Sequence, residues 1–213
     1  MTARRGIAIL GGTFDPVHNG HIACAEALYD ALAVEQVLLI PSAQPPHRNE
    51  PHASAVERLA MLQLAVASHP HLSADDRELR REGKSFTVDT LTELRAEHPG
   101  VPIYFALGQD AFDKLHEWHR WSALSDYAHL VVLARPGYDD HIPAELDPWA
   151  SPRLVGEPRC LASCTHGRIA FARVASVDVS ATEIRAGCSV GKLPRSAIPD
   201  VVCDYIEANH LYS

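Results

Sequence analysis

Residues 11 to 21, Gly-Gly-Thr-Phe-Asp-Pro-Val-His-Asn-Gly-His, constrain this chain more than any other stretch. Ile7-Ala8-Ile9-Leu10, immediately before them, is a short apolar run of the kind that makes a fully buried strand. After them, Ile22 to Leu32 reads as a helix, with Ala25, Leu28 and Leu32 recurring at helical spacing. The stretch is therefore a strand-to-helix turn. Gly11 and Gly12 let its backbone approach a bulky ligand, and the new helix aims unpaired N–H groups and the positive end of its dipole at whatever sits there. Asp15 is expected as the N-cap with Pro16 in the first turn. His18 and His21, three apart, project from one side of that turn as two cationisable rings. The combination describes a phosphate site. Singly, each piece has a plainer reading: a Gly-Gly turn, or two histidines on a solvated face or in half a metal site.

The rest of the chain alternates strands and helices. Gln36 to Pro41 is a second buried strand, followed by a loop rich in proline and histidine over residues 42 to 52, in which Arg48 is the only fixed cation. Ala55 to Ser68 reads as an amphipathic helix with Val56, Leu59, Leu62 and Val66 on its apolar stripe. Asp75 to Gly83 is expected to be a strand edge and turn, and Ser85-Phe86-Thr87-Val88 opens another helix in which Ser85 or Thr87 suits an N-cap. Ile103 to Leu107 is a third strand, ending in Gly108-Gln109-Asp110 and so presenting a polar group at the sheet's carboxyl edge. In His116-Glu117-Trp118-His119-Arg120-Trp121 the second histidine is one residue too close for a zinc-protease motif, and the tryptophans suit either core anchors or a stacking surface.

His129 to Ala134 and Ile169 to Val174 complete the strands, with an irregular insertion over residues 138 to 168 between them. Ser180, with Glu183 three residues on, reads as a capping box that places Thr182 and Arg185 in the first turn of a helix. Gly187 to Lys192 is one residue short of a phosphate-binding loop and follows no strand, so that reading is rejected. Pro199 to His210 is a final amphipathic helix. Strands alternating with helices imply an α/β fold: a Rossmann-like open parallel sheet with helices on both faces and a small C-terminal helical extension. We expect one domain over residues 1–213, a core over 1–178 and a helical part over 179–213. The dinucleotide fingerprint GxGxxG is absent, which disfavours a hydride-transfer enzyme.

Composition narrows the partners. The formal charge of −8, from 27 acidic against 19 basic residues, disfavours general nucleic-acid binding but leaves room for a local positive pocket. No run is long and apolar enough to span a bilayer, and no signal-like segment precedes the first strand, so a cytoplasmic location with no membrane partner is expected. Five scattered cysteines do not suggest a disulfide framework. Cys160-x-x-x-Cys164 near His166 lacks a second ligand pair at finger-like spacing, so no protein-held metal is assigned. The thirteen histidines are dispersed, and most are expected to face solvent.

The stretch at 11–21 matches, position by position, the GGTFDPxHxGH signature of the HxGH nucleotidyltransferases. Over the whole chain the sequence resembles the bacterial nicotinate-nucleotide adenylyltransferases, with further landmarks at Pro45-Pro46-His47-Arg48, Ser85-Phe86-Thr87, Gly108-Gln109-Asp110, Trp118-His119, Arg135-Pro136-Gly137 and residues 179–185. The resemblance implies transfer of AMP from ATP to nicotinate mononucleotide, giving deamido-NAD and pyrophosphate, with Mg²⁺ accompanying ATP. It implies that Gly11, Gly12, Thr13, Phe14, His18, His21, Gly108, Asp110, Ser180, Thr182 and Arg185 hold ATP. His18, His21 and Arg185 would be catalytic, and Ser42, Arg48, Thr87, Trp118 and His119 would bind the mononucleotide. Arg48 stands where lysine is common, keeping the charge but not the point-like geometry, and His119 stands where tyrosine is common, losing a phenolic hydrogen bond. Related adenylyltransferases acting on nicotinamide mononucleotide or phosphopantetheine are the nearest alternatives, and a homodimer is left open.

Overall fold

The computed structural model describes residues 6–43, 50–134, 140–173 and 179–213. In chain order its elements are β1 (Ile7–Gly12), α1 (Asn19–Leu32), β2 (Gln36–Pro41), α2 (Ala55–Val66), β3 (Leu72–Ala74), α3 (Arg77–Arg80), α4 (Thr87–Glu97), β4 (Ile103–Gly108) and α5 (Gln109–Asp113). Then come β5 (His129–Ala134), α6 (Asp147–Ala150), β6 (Ile169–Arg173), α7 (Ala181–Ser189) and α8 (Asp200–Ala208). The six strands form one sheet in the order β3-β2-β1-β4-β5-β6, every neighbouring pair parallel. The order reverses between β1 and β4, so the helices following these two strands leave for opposite faces. A crevice opens there above the carboxyl ends, the place where open α/β sheets bind ligands.

The period-two alternation of strand side chains sorts the core into two layers. Ala8, Leu10, Val37, Leu39, Tyr104, Ala106, Val131 and Ala170 point to one face, where α1, α2, α7 and α8 cover them with Leu28, Met61, Ile184 and Val202 among others. Ile7, Ile9, Leu38, Ile40, Ile103, Phe105, Leu130 and Val132 point to the other, against α4, α5 and α6 through Val88, Leu91, Leu94, Phe112 and Ala150. The strands read as unbroken apolar runs because both faces are buried.

At the amino edge of the sheet, Arg95 of α4 donates to four main-chain carbonyls: Tyr127 (2.7 Å), His98 (3.2 Å), Val101 (2.7 Å) and Thr165 (2.8 Å). It thereby fastens the connections that lead into β4, β5 and β6.

Several local expectations give way. The apolar face of α2 is Met61, Leu62, Ala65 and Val66 together with a buried arginine, Arg58, whereas Val56 is 75% exposed. Residues 75 to 83 are not a strand edge. Strand β3 stops at Ala74, and Asp75 turns back to accept from the backbone and guanidinium of Arg77, which starts the short α3. The residue capping α4 is Phe86, not Ser85 or Thr87. Ser180 is the N-cap of α7, but its side chain makes no cap hydrogen bond, so the capping box does not form. His129 is wholly buried, donating or accepting at both ring nitrogens, to Cys164 O and from Arg168 N. Gly187 lies in the last turn of α7, its carbonyl accepting from Lys192 N at 2.8 Å, and an added Cβ would meet Lys192 O at 2.6 Å. That glycine closes a helix.

Candidate active site

The turn from β1 into α1 is built by its own side chains. Phe14 takes a left-handed backbone (φ 50°), unusual for a bulky residue, and its ring is buried under the helix. A Cβ on Gly12 would approach that ring to 3.1 Å, so the second glycine makes room for it. Helix α1 begins at Asn19 with His18 as the N-cap; Asp15 does not cap it. Its carboxylate instead accepts from the backbone N–H of His52 (2.8 Å) and Ala53 (3.1 Å) and from the Tyr212 hydroxyl (2.8 Å). Burial alone would raise the Asp15 pKa, but these three donors and the charge of Arg185 outweigh it and hold the carboxyl below its ordinary value.

His18 and His21 stack face to face, their centroids 3.6 Å apart, and His18 N donates to His21 Nδ1 at 3.3 Å. His21 also meets the edge of the Phe14 ring. Burial pushes the His18 pKa down from 6.5 to about 4, so in the free protein this ring is neutral at pH 7 and not the cation expected of it. Its Nδ1 is buried without a hydrogen-bond partner among the described residues, an orphaned polar atom at a helix N-terminus. A group arriving from outside can satisfy it.

Beside this turn lies a cavity of about 460 Å³ at the β1/β4 crevice. Its wall brings together Gly11 and Gly12 at the end of β1 with Thr13 after them, Ser42 beyond β2, Gly108 at the end of β4, Asp110 in α5, and Thr87, Trp118 and His119. The two ends of the expected site, a glycine turn and an aromatic pocket, therefore share one continuous wall. Trp118 stands edge-on to Phe105, and His119 leans on Phe86 at 4.5 Å, so both rings are positioned from the sheet and α4. Trp121, by contrast, packs on Trp149 and anchors the core. Phe14, His18, His21, Ser180, Thr182 and Arg185 are not part of that wall. Arg48 lies outside the described residues, as do the Pro45–Arg48 and 135–137 landmarks.

The late helix reaches the early turn all the same. Arg185 Nη1 donates to the main-chain carbonyl of Asp15 at 2.7 Å, and Nη2 reaches Thr182 Oγ1 at 3.4 Å. Arg185 is thus fastened to the turn at Asp15, between Gly12 and His18.

Some residues were not foreseen. Arg58 is 1% exposed, and its guanidinium donates to Thr13 O at 2.7 Å and to Ala43 O at 3.3 Å. The only signal in the sequence is an arginine three and four residues before Met61 and Leu62, on a helix face that is otherwise apolar. Glu78 also lines the cavity; burial raises its pKa against hydrogen bonds from Thr90 and Ser85. Ser85, expected as a cap, accepts from Ala43 N at 3.0 Å and so ties α4 to the end of β2.

A family model described as Cytidylyltransferase-like matches residues 9–187. A relative from Yersinia pestis (strain Pestoides F), described as a probable nicotinate-nucleotide adenylyltransferase, is 44% identical over 207 residues, 96% of this chain and 94% of its own. Relatives of the same description from Pseudomonas aeruginosa (strain UCBPP-PA14) and Aeromonas hydrophila are 44% and 45% identical, each covering 97% of this chain and 96% of its own. Among solved structures, Plasmodium falciparum nicotinic acid mononucleotide adenylyltransferase complexed with NaAD superposes with a TM-score of 0.73 at 15% identity, covering 98% of both chains. That last likeness is one of fold.

Proposed function

The chain belongs to the cytidylyltransferase-like nucleotidyltransferases and, within them, to the nicotinate-nucleotide adenylyltransferase family; from that premise we propose how its own residues carry the reaction. The enzyme transfers AMP from ATP to the 5′-phosphate of nicotinate mononucleotide, forming deamido-NAD and pyrophosphate. The observation that carries this reading is the single wall that runs from Gly11-Gly12-Thr13 to Trp118-His119. A cavity of that composition accommodates a phosphate chain at one end and a flat aromatic ring at the other.

A phosphate monoester has its second pKa near ~6, so the attacking oxygen is already ionised at neutral pH and no general base is required. That oxygen forms a bond to the α-phosphorus of ATP while the bond from that phosphorus to the bridging oxygen breaks, and pyrophosphate leaves with the electron pair. The protein's work is to bring two polyanions together and to stabilise charge that builds on the α-phosphate. His18 serves as a neutral N–H donor, and His21, stacked on it, presents a second donor from the same side. Arg185 supplies the fixed positive charge for the departing β,γ-phosphates, with Ser180 and Thr182 at the start of α7 beside it. Gly108 and Asp110 flank the nucleoside, and Ser42, Arg48, Thr87, Trp118 and His119 take the mononucleotide.

Mg²⁺ enters with ATP. A hard cation of this kind keeps water and substrate phosphate oxygens in its shell and takes one or two carboxylates from the protein. Glu78, Asp110 and Glu117 are the carboxylates of the cavity wall, and any protein ligand to that cation would come from among them. We place the enzyme in the cytoplasm as a single nucleotidyltransferase unit acting on small molecules, with no nucleic-acid or membrane partner. Among the described residues no helix is long and apolar enough to cross a membrane.

The test is to mix the protein with ATP, Mg²⁺ and nicotinate mononucleotide, follow pyrophosphate, and identify the dinucleotide. The same assay with nicotinamide mononucleotide compares kcat/KM for the two. Preference for the nicotinate form is expected; equal or reversed preference would move the chain to the amide substrate.

A further inference from the structure

Residues 13 to 15 are gripped from two elements that do not face the cavity. From α2, Arg58 donates one arm of its guanidinium to Thr13 O at 2.7 Å and the other to Ala43 O at 3.3 Å. From the segment after α8, Tyr212 donates its hydroxyl to Asp15 Oδ1 at 2.8 Å. Both partners are well shielded: Arg58 is 1% exposed and Asp15 5%. Between the two gripped residues stands Phe14 in its left-handed conformation. A bulky side chain is held in that region only where its surroundings over-determine it, and here the surroundings are these two hydrogen-bonding side chains.

The grip has a direction. In a planar trans peptide the carbonyl and the following N–H point opposite ways. With the Thr13 carbonyl turned to Arg58, the Phe14 N–H is turned away from α2. Arg58 also spans two places on the cavity wall at once, because Thr13 and Ser42, the neighbour of Ala43, both line it. Its fork therefore sets the separation between the phosphate-binding turn and the loop on the mononucleotide side.

We propose that Arg58 and Tyr212 are positioning residues for AMP transfer: together they clamp residues 13 to 15 so that the two substrates meet at the correct separation. Neither touches a reacting atom. The inference rests on the AMP-transfer reading above, and it deepens that reading by naming what holds the two halves of the site in register. A misplacement of about 1 Å costs on the order of 100-fold in rate, whereas each substrate bound alone needs no such register.

Two variants test it. Arg58→Lys keeps the charge but replaces a two-armed fork by a single ammonium that cannot reach both carbonyls. Tyr212→Phe keeps the ring and removes one hydroxyl, the donor to the buried Asp15 carboxylate. For Arg58→Lys we expect kcat to fall by about 30-fold or more while the Kd values for ATP and for nicotinate mononucleotide, each measured alone by calorimetry, change by less than about 3-fold. For Tyr212→Phe we expect a kcat loss of about 5-fold with the same pattern and a Tm lowered by a few degrees, the effect of one lost hydrogen bond to a buried carboxylate. A folded Arg58→Lys enzyme with parental kcat overturns the proposal. So does one whose affinities for both substrates, Tm and kcat decline together, since that is loss of structure and not of register. If Arg58→Lys does not fold, Tyr212→Phe decides alone, and parental turnover there overturns the clamp. Amide hydrogen exchange at Phe14 is read in the same samples without any turnover: faster exchange in the variants supports the clamp, and unchanged exchange sinks it. A parental protein that releases no pyrophosphate fails the activity reading, and the exchange result still judges the clamp separately.

Discussion

Arg185 donates to the main-chain carbonyl of Asp15 across 2.7 Å, joining residues 170 positions apart. The late helix α7 is thereby fastened three residues ahead of His18, and in the proposed mechanism this guanidinium serves the departing pyrophosphate. Replacing Arg185 by Lys keeps a charge but gives up the bidentate reach. We expect kcat/KM for ATP to fall by about 100-fold, with the KM for the mononucleotide changed far less. Initial-rate kinetics with each substrate varied in turn check this.

His18 has two jobs that one substitution can separate. It stands at the N-cap position of α1, and in the proposed mechanism its ring donates to the α-phosphate. Asn is among the best N-caps, so His18→Asn should keep the helix while removing the imidazole. Turnover is expected to drop by about 100-fold with Tm held or raised, because the ring of His18 makes no cap hydrogen bond and Asn can make one. Denaturation and pyrophosphate release, measured side by side, separate the loss of turnover from any change in stability.

Trp118 lines the same cavity as the glycine turn. Trp118→Ala should raise the KM for nicotinate mononucleotide by about 10-fold or more and leave the KM for ATP nearly as it was, since base–aromatic stacking is worth about 1–3 kcal/mol. An equal rise for both substrates removes Trp118 from the pyridine pocket.

Two buried histidines make stability depend on pH in one direction. Burial lowers both His18 and His129 from 6.5 to about 4. Between those values the unfolded chain binds more protons than the native one, so stability rises with pH across that window and is complete above it. Going the other way, each histidine withdraws about 3 kcal/mol as pH falls from 6.5 through 4. In His129, besides the burial of the ring, a proton on Nδ1 would displace the hydrogen bond that this nitrogen accepts from Arg168 N. Urea unfolding of the parent at pH 7 and pH 4.5 should show the loss, and His129→Gln should flatten part of it.

Arg95 offers a control far from the chemistry. Its four carbonyl partners lie at the amino edge of the sheet, the edge away from the cavity. Arg95→Met should destabilise the fold by about 3 kcal/mol, since carbonyls left unpaired in a half-buried site carry their desolvation cost. The kcat of the folded fraction should not change.

Much of the sheet was readable because strand boundaries follow composition. Gln36–Pro41 and His129–Ala134 are uniform apolar runs between polar breaks, and a strand buried on both faces has no other way to look. Helix starts were harder. Asp15 has every local credential of a cap, yet tertiary donors from His52, Ala53 and Tyr212 claim its oxygens and leave the cap to His18. Ser180 and Glu183 have the spacing of a reciprocal box and do not close it. In the site, Trp118, Thr87 and Gly108 were named by motif and do share a wall. Arg58 was invisible for the opposite reason. Its partners are main-chain carbonyls on two distant loops, and carbonyls carry no signature in a list of residue types.

The parallel sheet also sets an order of events at synthesis. Strand β1 lies in the middle, with one edge on β2 and the other on β4, where Ile7 pairs with Ile103. Its second partner leaves the ribosome only after α1 through α4 have been made. Until then the nascent chain carries an open apolar edge that nothing of its own can yet close, so the phosphate turn at the end of β1 acquires its final shape late, after the remaining strands and Tyr212 have emerged.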